Sequence, residues 1–392
     1  MTVYLGIDVA KRQHRAMLLD GRGETLLKPF SVNNDRTGIE GLLQRLSQVS
    51  EPVEIGLEAT GHYWLALYDQ LTHAGYPVYV LNPLQVHAYQ RSGIRKRKSD
   101  SIDALWIADF IRVGGTRQPT DPQTLPIYLQ LRQLARFRFT LADQVGDAKR
   151  RILSVLDQVF PEYETLFSDI FLVTSRTLLA EAVMPQDFVD FDLDELTHLL
   201  QNASRGYFGQ SQAEAIQAVA IQSIGVTLLA DAARVELSCL LAQLDFLEQQ
   251  IMQVDEVIEQ LVTALPNQHL TTIPGIGAVV AATILGEIGD IRRFPSMEKL
   301  VAYAGIDPTL YQSGQFQASE AHMSKRGSPN LRRALWLAAT IARQRDPQLK
   351  AYYQKKRAEG KSYGTAVGAV CRKLLQRIYV VLREQRPYVI RP

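Results

Sequence analysis

The sequence predicts an α/β domain at the N-terminus, a long helical or coiled-coil middle and a mainly helical C-terminal domain. Three observations carry that reading. Short β-branched apolar runs alternate with helical periods over the first 85 residues or so. From about Leu129 to Leu265 the chain reads as a long helical region, and from Ile224 to Leu261 apolar residues keep a three- and four-residue spacing. After Pro274 short apolar helices give way to basic ones. A chain of 392 residues exceeds one ordinary core. The expected domains are 1–115, 125–265 and 268–392.

Taken in order, VYLGIDVA, HRAMLLD and ETLLKPFSV read as three consecutive strands of an antiparallel meander. TGIEGLLQRLSQV has a helical period, with Thr37 as the N-cap. PVEIGLEAT is a buried strand, and HYWLALYDQLTHAG an amphipathic helix ended by Gly75. PVYVLNP is a further buried strand, stopped at Asn82-Pro83. The order βββαβαβ, then helix, describes a mixed sheet with helices on its faces. The pattern from Pro83 to Val113 is helical, and Pro119, Pro122 and Pro126 mark a linker. The long helical region that follows is interrupted near Phe160-Pro161 and around Met184-Pro185. Its part from Ile224 to Leu261 suits a long helix, packed in its own domain or paired as a coiled-coil arm. Two short helices flank Pro274-Gly275-Ile276-Gly277, in the manner of a helix-hairpin-helix. EKLVAYAGIDP, a Gly- and Ser-containing loop, the basic helix SPNLRRALWLAATIARQR and a last helix complete the chain.

Composition excludes several classes. With 46% apolar and 21% charged residues the chain is globular rather than disordered. MTVYLGIDVAK lacks the pattern of a signal peptide, and no apolar run reaches the roughly 18 residues of a membrane span. Cys239 and Cys371 have no CxxC partner, which argues against a zinc cluster or disulfide framework and suits a cytoplasmic, nucleoid-associated protein. The net charge of +2 conceals an asymmetry: +5 over 1–154, −15 over 155–270, −2 over 271–320 and +14 over 321–392. A C-terminal quarter this basic points to a polyanion. The acidic middle is expected to face solvent or another protein surface.

Asp8 stands at the middle or end of the first strand, and Glu58 closes the fourth. A carboxylate in an apolar strand costs several kcal/mol unless it is compensated. Asp100 and Asp103 stand at i and i+3 on one helix face. The set can converge above one sheet edge. Oxygen-only ligands suit Mg²⁺ or Mn²⁺, and two such ions serve in-line phosphoryl transfer. The basic run holding Arg95, Lys96, Arg97 and Lys98 would hold the strand being cut. Asp on strand one, Glu on strand four and a late helical Asp pair resemble the RuvC-like branch of the ribonuclease H-type nucleases.

In the C-terminal part, Gly275 and Gly277 would let backbone N–H groups approach a phosphate. Lys325, Arg326, Arg332 and Arg333 form a cationic group around a loop and a helix start. The residues alone leave Ser313, Ser319, Ser324 and Tyr311 open as nucleophiles.

GIDVAK, LEATGHYW, LNP, RKSDSIDA, IPGIG, AYAGIDP, YQSG and MSKRGSPNLRRAL occur in that order. As a set they resemble the DEDD transposases of the insertion-sequence 110 family, the bridge-RNA-guided recombinases, over about residues 1–115 and 268–380. The resemblance implies a RuvC-like N-terminal domain with Asp8, Glu58, Asp100 and Asp103 as Mg²⁺ ligands. It implies that Ser313, in YQSG, attacks a DNA phosphate to form a phosphoserine link. It also implies donor and target DNA, a structured guide RNA, and a homo-oligomer, a dimer assembling to a tetramer, in which one subunit's serine meets another's carboxylates. The competing readings are a metal-dependent junction endonuclease acting by hydrolysis and a non-catalytic nucleic-acid-binding scaffold.

Overall fold

The computed structural model describes residues 1–59, 61–92, 100–116, 118–265, 269–307, 312–313, 316–317 and 323–390, with the backbone alone for 84, 92, 100–102, 312–313 and 316–317. It divides into two units, Met1–Pro126 and Ile127–Pro392.

The first unit is built on a five-stranded mixed sheet. β1 (Val3–Asp8), β2 (Gln13–Leu19) and β3 (Thr25–Asn33) form the expected antiparallel meander. β3 carries Pro29 and lies at an edge, where a missing ladder donor is tolerated. β4 (Val53–Glu58) runs parallel to β1, and β5 (Val78–Leu81) parallel to β4, giving the order β3-β2-β1-β4-β5. α1 (Arg36–Ser47) buries Ile39, Leu42 and Leu46. Its N-cap is Asp35, whose carboxylate accepts from the Gly38 N–H at 2.7 Å, and not the expected Thr37. Thr37 already lies inside the first turn, and Asp35, two residues earlier, has the extended backbone a cap requires. α2 (Trp64–His73) buries Trp64, Leu67 and Leu71. α3 (Pro83–Ser92) and α4 (Asp100–Arg112) complete the unit.

The second unit begins within α5 (Leu125–Val159) and returns along α10 (Ala230–Ala264). Each has 35 residues and so spans about 50 Å. Arg138 on α5 forms a two-pronged ion pair with Asp255 on α10. Between these helices lie α6 (Val173–Glu181), α7 (Pro185–Asp190), α8 (Leu193–Ser204) and α9 (Gln210–Ile221). Phe160-Pro161 and Met184-Pro185 are breaks as expected: α5 stops at Val159, and Met184 caps α7. The short helices share a core with the neighbouring stretches of α5 and α10 around Phe160, Tyr163, Phe188 and Leu237. The acidic middle is therefore a helical body with its own buried centre.

The rest of the unit has a separate core. α11 (Ala278–Ile288), α12 (Met297–Ala304), the two-residue strands β6 (Gln312–Ser313) and β7 (Phe316–Gln317), α13 (Pro329–Arg345), α14 (Pro347–Ala358) and α15 (Tyr363–Glu384) follow in order. The helix-hairpin-helix expectation fails here. The first arm before Pro274 is a single 3-10 turn, Leu270–Thr272, and only the second arm is a helix. No helix among the described residues is long and apolar enough to cross a membrane.

Candidate functional site

The sheet's pleat decides where the strand carboxylates point. In β1 and β4 the register pairs Gly6 with Gly56 and Ile7 with Leu57, so Asp8 and Glu58 end adjacent parallel strands side by side. Successive side chains alternate between faces, which puts Asp8 on the face of Gly6 and Glu58 on that of Gly56. That face is the one α4 covers. A Cβ on Gly6 would stand 2.1 Å from the Ala104 carbonyl oxygen, and one on Gly56 would stand 2.9 Å from Ile107 Cγ2. The two glycines thus seat the helix directly on the strand backbones.

The direction of α4 follows from its contacts. Arg112, its last residue, lies against Gly23 in the β2–β3 turn, and β2 ends at Leu19 opposite Tyr4. The C-terminal end of α4 is therefore over the beginning of β1, and its N-terminal end over the end of β1. From Ala104 back to Asp100 is about 6 Å of helix, and from Gly6 on to Asp8 about 7 Å of strand. The N-terminal end of α4, the part of the helix that holds Asp100 and Asp103, consequently lies toward the sheet edge where β1 and β4 end in Asp8 and Glu58.

Neighbouring groups hold this edge in place. Gln90 on α3 donates to Asp103 Oδ1 at 2.9 Å. Tyr89 donates to Asp109 at 2.6 Å, and Arg112 binds the same carboxylate, which ties α3 to α4. Burial, then the Asp109 partnership, pushes the Tyr89 hydroxyl up to about 12. His14, wholly buried on β2, accepts from the Ala10 N–H at 3.2 Å and so anchors the turn that follows Asp8. Burial pulls its pKa down, against a smaller opposing contribution from Asn34. Glu58 is itself nearly buried, at 9% exposure. Among the described side chains no group of three His, Cys, Asp or Glu stands together as a metal cluster; the Asp100 side chain lies outside them. An all-oxygen donor set at one strand edge nevertheless has the chemistry a hard divalent ion requires.

Residue reading alone did not find Gln90, Tyr89, Asp109 and His14. A signal existed for the seat of α4: a glycine inside an otherwise apolar strand marks close backbone approach, and LGID and EIGLE each hold one.

The second unit places the remaining candidates. Arg95, Lys96, Arg97 and Lys98 lie outside the described residues, as do Tyr311 and Ser319. Ser313 sits in β6, paired with Phe316 of β7. Ser324 is held by Asp307, hydroxyl to carboxylate at 2.5 Å. Gly275, at φ +91°, faces the α13 backbone, where a Cβ would stand 2.5 Å from the Ala338 carbonyl oxygen. Its role is close helix packing. Gly277 caps α11, with open space around a would-be Cβ. Arg332 donates to the Ala304 carbonyl oxygen at 3.2 Å. Arg333 grips Asp143 through two bonds of 2.9 and 2.7 Å and lies 4.4 Å from the Phe139 ring centroid. Lys325 adopts a left-handed backbone, φ 51°, and its N–H donates to Gly305. A Cβ on Gly305 would stand 2.0 Å from the Arg326 carbonyl oxygen, so AYAGIDP and MSKRGSP interlock backbone to backbone.

Below them lies Glu287, 1% exposed, which accepts from Arg136 and from the Ser328 hydroxyl. Burial pushes its carboxyl up. The Arg136 hydrogen bonds, the Arg132 and Arg136 charges and Ser328 more than offset this, leaving it below the usual carboxylate range.

Family models match both ends of the chain. The DEDD transposase model of IS110 type matches residues 5–161, and the model described as transposase IS116/IS110/IS902 family matches 267–354. The chain is a transposase of the IS110 family. Several relatives align over nearly their whole length. The 44.8 kDa protein of insertion element IS116 from Streptomyces clavuligerus is 26% identical over 100% of this chain and 97% of its own length. The pilin gene-inverting protein of Moraxella bovis is 25% identical over 98% of this chain and 97% of its own. Among solved structures, Thermus thermophilus RuvC in complex with a Holliday junction substrate is similar to part of the chain. That likeness has 19% identity and a TM-score of 0.25, covering 31% of this chain and 100% of the other. The IS110-family chain is accordingly an enzyme of the class that cleaves and rejoins DNA.

Proposed function

We propose that this transposase excises and inserts a mobile element under the guidance of a structured RNA, through a phosphoserine intermediate at Ser313. The observation that carries the catalytic part is the meeting of Asp8 and Glu58 with the N-terminal end of α4 at one sheet edge. Asp8, Glu58, Asp100 and Asp103 are the residues that would hold Mg²⁺, or Mn²⁺ in its place. When bound, the ion supplies Lewis-acid chemistry that lowers the serine hydroxyl pKa and neutralises phosphate charge.

Ser313 Oγ forms a bond to phosphorus as the bond between phosphorus and one sugar oxygen breaks. The serine gives up its proton and the departing sugar hydroxyl gains one. One ester replaces another, so the reverse attack by a sugar hydroxyl rejoins DNA without an external energy source. Guide RNA pairing would select sequence, leaving backbone and shape to the protein. An assembly of dimers into a tetramer would let one copy supply the serine and another the carboxylates.

The test is denaturing electrophoresis of protein incubated with end-labelled DNA, its co-purifying RNA and Mg²⁺. A protein-linked strand is expected from the parent and from neither Ser313→Ala nor Asp8→Asn. Undiminished strand cutting by Ser313→Ala would assign the chemistry to hydrolysis instead. Undiminished activity in Asp8→Asn would remove the carboxylates from the reaction.

A further inference from the structure

The +14 charge of residues 321–392 needs a location, and Arg332 and Arg333 do not supply it, since both are engaged within the fold. A concavity among the C-terminal helices does. A basin of about 990 Å³ opens between α14 and α15, and Lys325, Lys356, Lys361, Arg372 and Lys373 line it together with Tyr352. No described Asp or Glu lines it. Two carboxylates stand nearby: Glu359 pairs with Lys356 at 2.7 Å, and Glu298 lies close enough to Arg372 to be stabilised by it. The cations still outnumber them.

The walls are shaped for an extended ligand. Lys356 and Lys373 lie over the Tyr352 ring, at 5.6 and 5.8 Å from its centroid, which fixes both ammonium groups on the wall. Gly364, Gly368 and Ala369 of α15 keep the floor open. At Gly368 a Cβ would already stand 3.7 Å from Met323 Cε, so a larger side chain would fill the space. Ile306 and Met323 also line the basin, and the β6–β7 hairpin with Ser313 is inserted in the sequence between them.

We infer that this basin binds the phosphodiester backbone of a single DNA strand, the strand whose phosphate Ser313 attacks. A cavity of this size accepts part of one strand, whereas a duplex would lie across its rim. Five cations converging on a concave surface match a run of phosphates better than a lone anion. The choice of DNA over RNA rests on the serine reading, through the hairpin's insertion between Ile306 and Met323.

The test uses full-length protein freed of nucleic acid, fluorescence anisotropy with labelled oligothymidylate and oligouridylate, and a salt series between roughly 50 and 200 mM. In Lys361→Gln/Arg372→Gln/Lys373→Gln the log–log salt slope for the DNA strand should fall by about 2, from three lost contacts at ~0.7 each. Gly368→Phe keeps every cation and should weaken DNA binding by obstruction. Arg383→Gln/Arg386→Gln, also exposed and basic, should leave the slope unchanged, and thermal unfolding checks that each variant is folded. An unaltered DNA slope in the triple variant, a fall confined to the RNA strand, or full affinity in Gly368→Phe would overturn the proposal. Binding needs no serine. A triple variant with a reduced slope beside a Ser313→Ala protein that still forms adduct would therefore sink the serine reading and leave the basin standing.

Discussion

Replacing Gly6 with Ala tests whether the α4 seat positions the carboxylates. The new Cβ would stand 2.1 Å from the Ala104 carbonyl oxygen and 2.4 Å from the Ala108 amide nitrogen, where ordinary contact begins at 3.4 Å. Both obstacles are backbone, so no rotamer change relieves them. The helix must retreat from β1 by about 1.3 Å or tilt by an equivalent amount. Overpacking of this kind costs about 1–3 kcal/mol, which a urea melt of the purified protein reads directly. The functional cost should be larger. A displacement of about 1 Å between reacting groups lowers rate by roughly a hundredfold. The assay is Mg²⁺-dependent formation of the protein–DNA adduct, under conditions where the variant is fully folded. Gly41→Ala, at a position with nothing within 4 Å of a Cβ, is the matched control and should be neutral or slightly stabilising. Parental adduct formation by folded Gly6→Ala would refute the assignment of the α4 end to the site.

Glu287→Gln should destabilise the C-terminal core by about 2–3 kcal/mol, measured by chemical denaturation, because Arg136 and Arg132 lose their buried partner. Glu287 and Asp346 both have carboxyls held low in the folded state; for Asp346, burial is outweighed by Arg377, the Leu349 N–H and Tyr388. Their stabilisation is complete above the unfolded carboxylate range near ~4 and is lost as pH falls through the lower folded values, so a pH series of melts should show acid unfolding that Asp346→Asn blunts. His14 has its folded pKa lowered, so its contribution is present above about 6.5 and fades as pH falls toward the folded value. The protection factor of the Ala10 amide, its exchange rate set against the intrinsic rate at each pH, should fall over that range. Asp35→Ala should cost about 1 kcal/mol through loss of the α1 cap, with adduct formation unchanged in the folded protein.

Local patterns in the chain were enough to place most of the elements. Period-2 and period-3.6 patterns are local, so the meander, β4, β5 and the long helices were legible, as were the breaks at Phe160-Pro161 and Met184-Pro185. The carboxylates at the strand ends were legible because an acid in an apolar strand is conspicuous. Caps and short turns were less so: Asp35 and Thr37 are both able caps, and a difference of two residues is settled by backbone geometry. Before Pro274 the apolar pattern did not reveal that the first arm is one 3-10 turn, because Leu270 and Ile273 are buried by tertiary neighbours.

Long-range packing settles which cations are engaged within the fold and which helix covers the strands that end in carboxylates. Formal charge cannot distinguish Arg333, gripping Asp143, from Lys373, standing over Tyr352 at the edge of a basin. Nor can it show that Gly275 is taken up by α13, or that Gly6 and Gly56 bring α4 onto the strands that end in Asp8 and Glu58. Those relations are set by long-range packing, in which partners 100 residues or so apart meet at van der Waals distance.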